Sequence, residues 1–364
     1  RNEARHPKEL WTANPPGEPV RVVLAGDERE EAGAVVRLVE TQRAAGLPLG
    51  RQAVFYRVNA QSRVLEELLR GHGITYVVVG GFRFFERAEV KDLLAYLRLL
   101  VNPADEASFL RVVNVPPRGI GKVSVERLHA YAMEAGKPLS VAAAEASGVS
   151  GLPAAGGRAL TALAGQLATW REGLVEGPLT AARRVFEESG LERALRDDRS
   201  PEAETKLQNL HELITSIGDW AREDEAPTLS GYLEHVTLQT AIDELGKDAA
   251  DRLALMTVHS AKGLEFDAVY VVGVEDGLFP YRHRGAEDDH REQRARLEEE
   301  RRLAYVAMTR ARKMLWLFHA RRRLLFGGEQ ALPPSRFLAD LPPDAIEEAV
   351  LPGARDQAAW APVS

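Results

Sequence analysis

The first eighty residues alternate between two hydrophobic periods. Short apolar runs bounded by glycine or polar turns predict strands, and segments with apolar residues three and four positions apart predict helices. The predicted strands are Val20–Ala25, Ala53–Arg57 and Ile74–Val79, and the predicted helices are Asp27–Ala45 and Ala60–His72. Strands that alternate with helices in this way predict a parallel α/β sheet.

The helical period dominates the middle of the chain, where strand patterns are scarce. One apolar stripe consists of Val90, Leu93, Leu94, Leu97 and Leu100, and another of Leu207, Leu210, Ile214 and Ile217. Strand patterns return at 253–258, 268–274 and 314–318. We therefore expect an all-α domain at 86–247 that interrupts an α/β domain made of 1–85 and 248–342. The proline- and alanine-rich end, 343–364, is expected to be a linker or disordered tail.

The composition limits the class of protein. The 364 residues suffice for two or three domains, and no stretch approaches the ~18 consecutive apolar residues of a membrane helix. The absence of cysteine excludes disulfides and cysteine metal sites and is typical of a cytoplasmic protein. A net charge of −7 confines any nucleic-acid contact to local basic patches. The chain begins Arg-Asn-Glu, with neither methionine nor a signal peptide, so we expect a fragment of a longer protein.

Two strings near the C-terminal end carry the most specific signal. Residues 257–267 read TVHSAKGLEFD, and residues 298–311 read EEERRLAYVAMTRA. In this order and spacing they resemble motifs V and VI of the UvrD/Rep/PcrA helicases of superfamily 1, and those of UvrD most closely. Segments at 54–69, 78–100, 113–128 and 324–342 resemble the same family. The resemblance implies a RecA-like domain interrupted by a mobile helical domain, ATP-dependent 3′–5′ movement on DNA, and a role in DNA repair.

A phosphate-binding loop of the form G-x-x-x-x-G-K-[S/T] is absent from the chain. The Gly-Lys pairs at 121–122, 136–137 and 246–247 are followed by Val, Pro and Asp, and no glycine stands five positions before any of them. The Asp-Glu pairs lie among polar residues, whereas a magnesium-binding pair should end an apolar strand. Because such a loop and such carboxylates hold ATP and Mg²⁺, the resemblance implies that both lie outside this chain and that the chain alone has no ATPase activity.

The resemblance implies two nucleotide contacts in this chain. Glu265 would accept hydrogen bonds from the ribose hydroxyls of ATP, and the alternative is a surface loop acid. Arg310 would be an arginine finger, which spreads positive charge over the γ-phosphate oxygens. The alternative for Arg310 is an arginine that satisfies the helix dipole. Leu303, Val306 and Ala307 can pack the preceding helix on the sheet, which would leave Arg310 at the sheet edge.

The resemblance also implies a track for single-stranded DNA. Its residues are Arg57, Asn59, Arg83, Thr257, His259, Tyr281 and Phe326. Arg57 and Asn59 stand at a strand-to-helix junction, where amides and guanidinium groups bind phosphate; nearby Arg63 is as well explained by a structural role. Bases can stack on the rings of Tyr281 and Phe326, although core packing is an equal alternative for Phe326. No second ligand accompanies His259, so we expect no metal site.

The segment Arg118–Lys122 resembles the duplex-contacting part of the inserted domain. Gly119 and Gly121 would let the backbone approach a phosphate, and Arg118 and Lys122 would add charge; Ile120 stands between the glycines. The alternative is a plain turn. The acid-rich run 287–300 is expected to be a solvated helix entry without a catalytic role.

The sequence therefore predicts the C-terminal half of an ATP-dependent 3′–5′ DNA helicase. Its partners would be single-stranded DNA and single/double-strand junctions, with no membrane, and it would be a cytoplasmic monomer or weak dimer. Two alternatives remain, a stand-alone DNA-binding or regulatory module without ATPase activity and a subunit of a helicase–nuclease.

Overall fold

The computed structural model describes residues 17–245, 250–282, 290–325 and 328–349. The chain divides into two compact units. One contains the residues up to Phe82 and those from Leu245 onward, and the other runs from Arg83 to Glu244. The first is an α/β unit and the second is helical.

The strands of the structure are β1 Val20–Ala25, β2 Gln52–Tyr56, β3 Tyr76–Val78, β4 Leu253–Thr257, β5 Phe266–Val271, β6 Ala311–Ala320, β7 Arg323–Leu325, β8 Gly328–Gln330 and β9 Ile346–Ala349. The α-helices are α1 Glu28–Ala44, α2 Ser62–Gly71, α3 Ala88–Val101, α4 Glu106–Val112, α5 Lys122–Ala135, α6 Leu139–Ala142, α7 Ala154–Glu172, α8 Pro178–Glu188, α9 Leu191–Asp197, α10 Pro201–Glu223, α11 Leu229–Leu245 and α12 His290–Met308.

A parallel sheet forms the centre of the α/β unit, which confirms the predicted fold class. Its seven strands lie in the order β3-β4-β2-β5-β6-β1-β9, and every neighbouring pair is parallel. All five residues of β2 are buried, as expected of a central strand covered on both faces. One face packs against apolar side chains of α1 and α2, and the other packs against those of α12.

Helix α1 shows why the predicted boundaries hold. Asp27 is its N-cap, and the carboxylate accepts hydrogen bonds from the backbone N–H groups of Arg29 and Glu30 at 3.0 and 2.8 Å. A capping aspartate satisfies donors that the first helical turn leaves unpaired. Acidic residues in that turn interact favourably with the positive end of the helix dipole. The prediction of a helix from Asp27 to Ala45 is therefore confirmed to within its two caps.

The helical unit is organised around the predicted stripes. All five predicted residues of α3 are buried, and Leu210, Ile214 and Ile217 of α10 are buried in the same apolar cluster. Leu207 is half-buried and packs against that cluster. Between them these stripes build the core of the unit, as the 3.6-residue period requires.

The end of the sheet differs from the prediction of a linker or disordered tail at 343–364. Residues 346–349 form β9, an edge strand whose backbone pairs with β1. Ala349 packs against the sheet core, and Glu347 lies 3.5 Å from Arg21. Four residues with two apolar positions suffice for a strand when a ready-made edge supplies the hydrogen bonds. The remaining residues of that segment, 350–364, lie outside the described residues.

Three buried ionic side chains join α1, the loop after β5 and the start of β7. Arg323 donates to Glu275 at 2.8 and 2.7 Å and to Glu31 at 2.9 Å. Each of the three is at most 4% exposed. Burial raises the pKa of Glu31 to about 7, against the lowering effect of Arg323 and with a further rise from Glu275. Two carboxylates share one cation, so the cluster favours a proton on Glu31.

Candidate nucleic-acid interface and nucleotide site

The parallel sheet separates the predicted site residues into two groups. Arg57 follows β2 and His259 follows β4, whereas Glu265 precedes β5 and Arg310 precedes β6. In a parallel sheet the carboxyl ends of the strands meet at one edge and the amino ends at the opposite edge. Arg57 and His259, which are expected to contact DNA, therefore lie at the carboxyl edge, whereas Glu265 and Arg310, which are expected to contact the nucleotide, lie at the amino edge.

Arg310 stands between α12 and β6 at the amino edge. Its carbonyl accepts from the N–H of Phe266 at 2.9 Å. The guanidinium donates from Nε to the Val306 carbonyl at 3.1 Å, from Nη1 to the Leu264 carbonyl at 3.2 Å, and from Nη2 to Thr309 Oγ1 at 3.1 Å. Arg310 thus caps its helix and also holds the loop that carries Glu265. A guanidinium has five N–H donors, so two donors of Arg310 make no hydrogen bond to the described residues and can bind a ligand.

Glu265 is paired with an arginine that the sequence analysis missed. Its carboxylate accepts from Arg312 Nε and Nη2 at 2.9 and 2.8 Å. Both side chains are about half exposed, 47% for Glu265 and 44% for Arg312. The sequence could not show this pairing, because Arg312 stands 47 positions after Glu265. The amino edge thus carries a second guanidinium close to the candidate ribose contact.

Asp267 ties the amino ends of three strands together. Its side chain accepts from Arg51 Nη2 at 3.0 Å and from Lys313 Nζ at 3.3 Å. Burial acts to raise the pKa of Asp267, but the hydrogen bonds and charges of Arg51 and Lys313 outweigh it, and the pKa is lowered. Asp267 is therefore charged at neutral pH and fixes the edge that presents Glu265 and Arg310.

Arg57 and Tyr281 lie together at the carboxyl edge. The guanidinium carbon of Arg57 is 5.3 Å from the centroid of the Tyr281 ring, within the range of a cation–π contact. Glu300 of α12 accepts from Arg57 Nε and Nη2, the shortest distance being 2.6 Å, and from the N–H of Tyr281 at 2.9 Å. Two predicted DNA contacts thus share one carboxylate.

Glu300 corrects the prediction for the acid-rich run 287–300. Residues 287–289 lie outside the described residues, and residues 291–296 are exposed as expected. Glu300 instead is only 7% exposed. The sequence contained a signal, because Glu300, Ala304 and Ala307 stand at i, i+4 and i+7, on the helix face that packs against the sheet.

Thr257 and His259 form a tight turn after β4. The Ser260 N–H donates to the Thr257 carbonyl at 3.0 Å, and the two side-chain oxygens are 3.0 Å apart. His259 is exposed on this turn, although its ring is partly desolvated. That desolvation and the positive charge of Arg57 lower the pKa of His259. His259 is therefore neutral at pH 7 and offers hydrogen bonds rather than charge.

Gln61 fixes the backbone that carries Arg57 and Asn59. Its Oε1 accepts from the N–H groups of Arg57 and Val58 at 3.1 and 2.9 Å. Asn59 begins the short 3₁₀ helix Asn59–Gln61 and is half-buried. The junction presents both predicted side chains on a backbone that is already hydrogen-bonded.

Three further residues fall outside this arrangement. Arg83 is the first residue of the helical unit and is only 8% exposed. Arg63 is buried and lies 3.0 Å from Glu67, which supports the structural alternative for it. Phe326 lies outside the described residues.

Arg118 is held by its own unit. Its guanidinium donates to four acceptors, the carbonyls of Val112, Pro116 and Ser189 at 3.1, 3.1 and 2.9 Å and the Tyr96 hydroxyl at 2.6 Å. These bonds engage both terminal nitrogens and explain Arg118 as a brace for its loop. The sequence could not show this, because Ser189 lies 71 positions away.

A buried side chain and two hydrogen bonds hold the backbone of the Gly119–Gly121 turn in place. The side chain of Ile120 is 4% exposed and belongs to the helical core. Asn114 Oδ1 accepts from the N–H groups of Arg118 and Ile120 at 2.7 and 3.3 Å. Gly119 has φ +71°, a conformation that favours glycine. The turn leads into α5 with Gly121 as N-cap, and the exposed Lys122 is the first helical residue.

Residues 17–245, 250–282, 290–325 and 328–349 contain no group of three or more His, Asp and Glu side chains arranged to hold a metal ion. Among the same residues, no helix combines the length and apolar character needed to cross a bilayer.

Comparison with known families decides the relationship. The UvrD-like helicase C-terminal domain model matches residues 1–142 and 157–322. This chain belongs to that family. It is 38% identical over 351 residues to the ATP-dependent DNA helicase PcrA of Staphylococcus epidermidis, a match that covers 95% of this chain and 47% of the relative. PcrA from Staphylococcus aureus gives the same values. PcrA of Bacillus subtilis is 37% identical over 357 residues, with the same coverage. The chain spans about half the length of these curated relatives.

Proposed function

We propose that this chain is the C-terminal half of an ATP-dependent 3′–5′ DNA helicase that acts in DNA repair in the cytoplasm. The observation that carries the proposal is the division of one parallel sheet into two chemically different edges. The amino edge carries Glu265, Arg310 and Arg312, and the carboxyl edge carries Arg57 and Tyr281. A motor needs both, one surface for the nucleotide and one for the strand on which it moves.

The amino edge has the donor set that a nucleoside triphosphate requires. Guanidinium groups form forked hydrogen bonds with phosphate oxygens, and a carboxylate accepts from vicinal ribose hydroxyls. Arg310 would hold the γ-phosphate and Glu265 the ribose, while the phosphate loop and the Mg²⁺ ligands would come from the other half of the helicase. ATP, when bound there, supplies the free energy of its hydrolysis. Arg310 can act only on a nucleotide that another surface has positioned, so the chain alone should show no ATPase activity above background.

The carboxyl edge suits single-stranded DNA of any sequence. A strand is bound by cations along its phosphates and by flat rings under its bases. Arg57 and Asn59 would contact phosphates, Thr257 and His259 would hydrogen-bond the backbone, and Tyr281 would stack on a base. Arg83 and Phe326 remain part of the proposed track.

The helical unit would bind duplex DNA through the Gly119–Gly121 turn and the exposed Lys122. Both glycines have open space around them, because a Cβ added to Gly119 or Gly121 would meet no atom of the described residues within 4 Å. A phosphate could therefore approach the N-terminus of α5, where the helix dipole favours an anion. Single/double-strand junctions are the DNA partner that this division of labour predicts, and we expect a monomer or weak dimer.

Unwinding by the longer protein that contains this chain tests the proposal. The substrates are two labelled duplexes that differ only in whether the single-stranded tail is 3′ or 5′. ATP-dependent strand release from the 3′-tailed duplex alone is expected. Release from the 5′-tailed duplex alone would overturn the direction, and ATP-independent binding without release would favour a DNA-binding module.

A further inference from the structure

Glu300 is a buried carboxylate in the midst of the candidate DNA-binding side chains. Its two oxygens accept from Arg57 Nε at 3.0 Å, from Arg57 Nη2 at 2.6 Å and from the N–H of Tyr281 at 2.9 Å. The neighbouring Glu299 has a side chain that is 60% exposed and pairs with Arg302. A buried carboxylate is costly unless its acceptors are filled, and here they are filled by two residues of the proposed track.

The pairing leaves one end of the Arg57 guanidinium available. Nε and Nη2 face Glu300, whereas Nη1 donates no hydrogen bond to any residue in the described part of the chain. The side chain of Arg57 is only 15% exposed, so its orientation is fixed by these contacts and by the Tyr281 ring below it. A phosphate oxygen could accept hydrogen bonds from the N–H groups of Nη1.

We propose that Glu300 is a positioning residue for single-stranded DNA binding. Its carboxylate binds both the Arg57 guanidinium and the backbone N–H of Tyr281. It therefore holds a group that can donate hydrogen bonds to a phosphate at a fixed distance from a ring on which a base can stack. A fork that is already oriented loses less conformational freedom on binding than a free arginine does. This inference rests on the proposed function of the carboxyl edge.

Whether neutralising Glu300 strengthens or weakens DNA binding distinguishes a positioning role from simple charge repulsion. Removing an acid near a path of phosphates reduces repulsion and should strengthen binding. Glu300→Gln removes the same charge, but the amide nitrogen is a donor and must face either Arg57 or the Tyr281 N–H, which are donors too. One of the two contacts is lost, so a positioning role predicts weaker binding.

Fluorescence anisotropy with labelled oligo-dT, carried out with this chain, tests the inference. Glu300→Gln should bind about tenfold more weakly than the unchanged chain, since one oriented contact is worth about a factor of ten. Glu299→Gln is the matched control and should bind equally well or more tightly. The loss of affinity in the double variant Arg57→Ala/Glu300→Gln should be smaller than the product of the two single losses, because both changes remove the contact between Arg57 and Glu300. Thermal melting of each variant confirms folding.

A second variant keeps the test informative if Glu300→Gln does not fold. Arg57→Lys retains the charge but cannot form the fork with Glu300, so it should weaken oligo-dT binding about tenfold with an unchanged salt dependence. Full affinity in Glu300→Gln, or in Arg57→Lys when the first variant does not fold, overturns the positioning role and leaves the proposed function standing. No salt-dependent binding by the unchanged chain overturns the proposed function of the carboxyl edge and this inference with it.

Discussion

Arg310 donates from Nη1 to the carbonyl oxygen of Leu264 at 3.2 Å, and this bond joins the segment before β6 to the segment before β5. Glu265 is the next residue along the chain, so the two candidate nucleotide contacts are structurally linked. A third side chain, Arg312, pairs with Glu265 across the same edge. The arrangement makes distinct predictions for each of these residues.

Glu265→Ala should chiefly raise the KM for ATP in the longer protein that supplies the phosphate loop. A ribose contact is made equally before and during the chemical step, so its loss changes binding and leaves kcat nearly unchanged. We expect an increase of about tenfold, the effect of one hydrogen bond to a charged group. Steady-state ATPase assays measure it. Arg312→Ala is the control: if it raises KM as much as Glu265→Ala does, then the ion pair and not the ribose contact is what matters.

Gly121→Val should weaken binding to duplex DNA and leave binding to single strands unchanged. The position has φ −83° and open space around an added side chain, so the change does not strain the fold. It does obstruct an approaching phosphate. The measurement compares a hairpin carrying a 3′ tail with oligo-dT. Gly165→Val, at an exposed position of α7 with equally open surroundings, is the control. Equal losses on both substrates would contradict the duplex role.

Tyr281→Ala should weaken oligo-dT binding by about 5- to 150-fold, the range that corresponds to one base stacked on an aromatic ring. Stacking releases few counterions, so the slope of log K against log salt, expected at about −2 to −5 for ~3–5 neutralised phosphates, should hardly change. Arg57→Ala should instead make the slope shallower by about 1. Anisotropy titrations at several salt concentrations measure both quantities. Tyr281→Phe should retain the affinity, and a slope near zero in the unchanged chain would refute the track.

Glu31→Gln should remove a pH dependence of stability. The pKa of Glu31 is raised from 4.5 to about 7, so the native state binds this proton more tightly than the unfolded chain does. The stabilisation of the folded state by this proton is complete below about pH 4.5 and is lost as the pH rises through about 7. The free energy of unfolding of the unchanged chain should therefore fall, relative to that of Glu31→Gln, by up to about 3 kcal/mol over this range.

Urea unfolding at roughly pH 5 and pH 8 measures the difference. Glu348→Gln, at an exposed position of β9, should leave the pH dependence as it is. If the unchanged chain and Glu31→Gln respond equally to pH, then the proton does not reside on Glu31.

The parts of the fold that the sequence predicted are those determined by local patterns. β1 is observed where it was predicted, at Val20–Ala25, because its apolar run and the Asp27 cap mark both ends. The strand predicted at 268–274 is instead Phe266–Val271. Val272 and Val274 are buried in the loop that follows, and apolar character alone does not separate a strand from a buried loop.

The parts of the site that were missed depend on long-range partners. The sequence indicates only that Arg118 is a basic loop residue. In the structure its guanidinium donates a hydrogen bond to the carbonyl of Ser189, 71 positions away. The sequence indicates only that Glu300 is one acid in a charged run. Its burial is explained by its ion pair with Arg57, which lies 243 positions away in the chain. Local periodicity placed both residues in the correct element, but it carries no information about which distant side chain comes to face them.

The kinetic effect of Arg310→Ala in the longer protein tests the central claim most directly, because it asks whether the amino edge is a nucleotide site. The expected result is a fall in kcat of ~10³-fold or more for DNA-stimulated ATP hydrolysis, with little change in KM for ATP or in affinity for oligo-dT. Arg310→Lys should restore little activity, since an ammonium cannot reproduce the planar fork. Near-normal turnover by Arg310→Ala would contradict the account and leave Arg310 as the residue that caps α12 and braces the Leu264 loop.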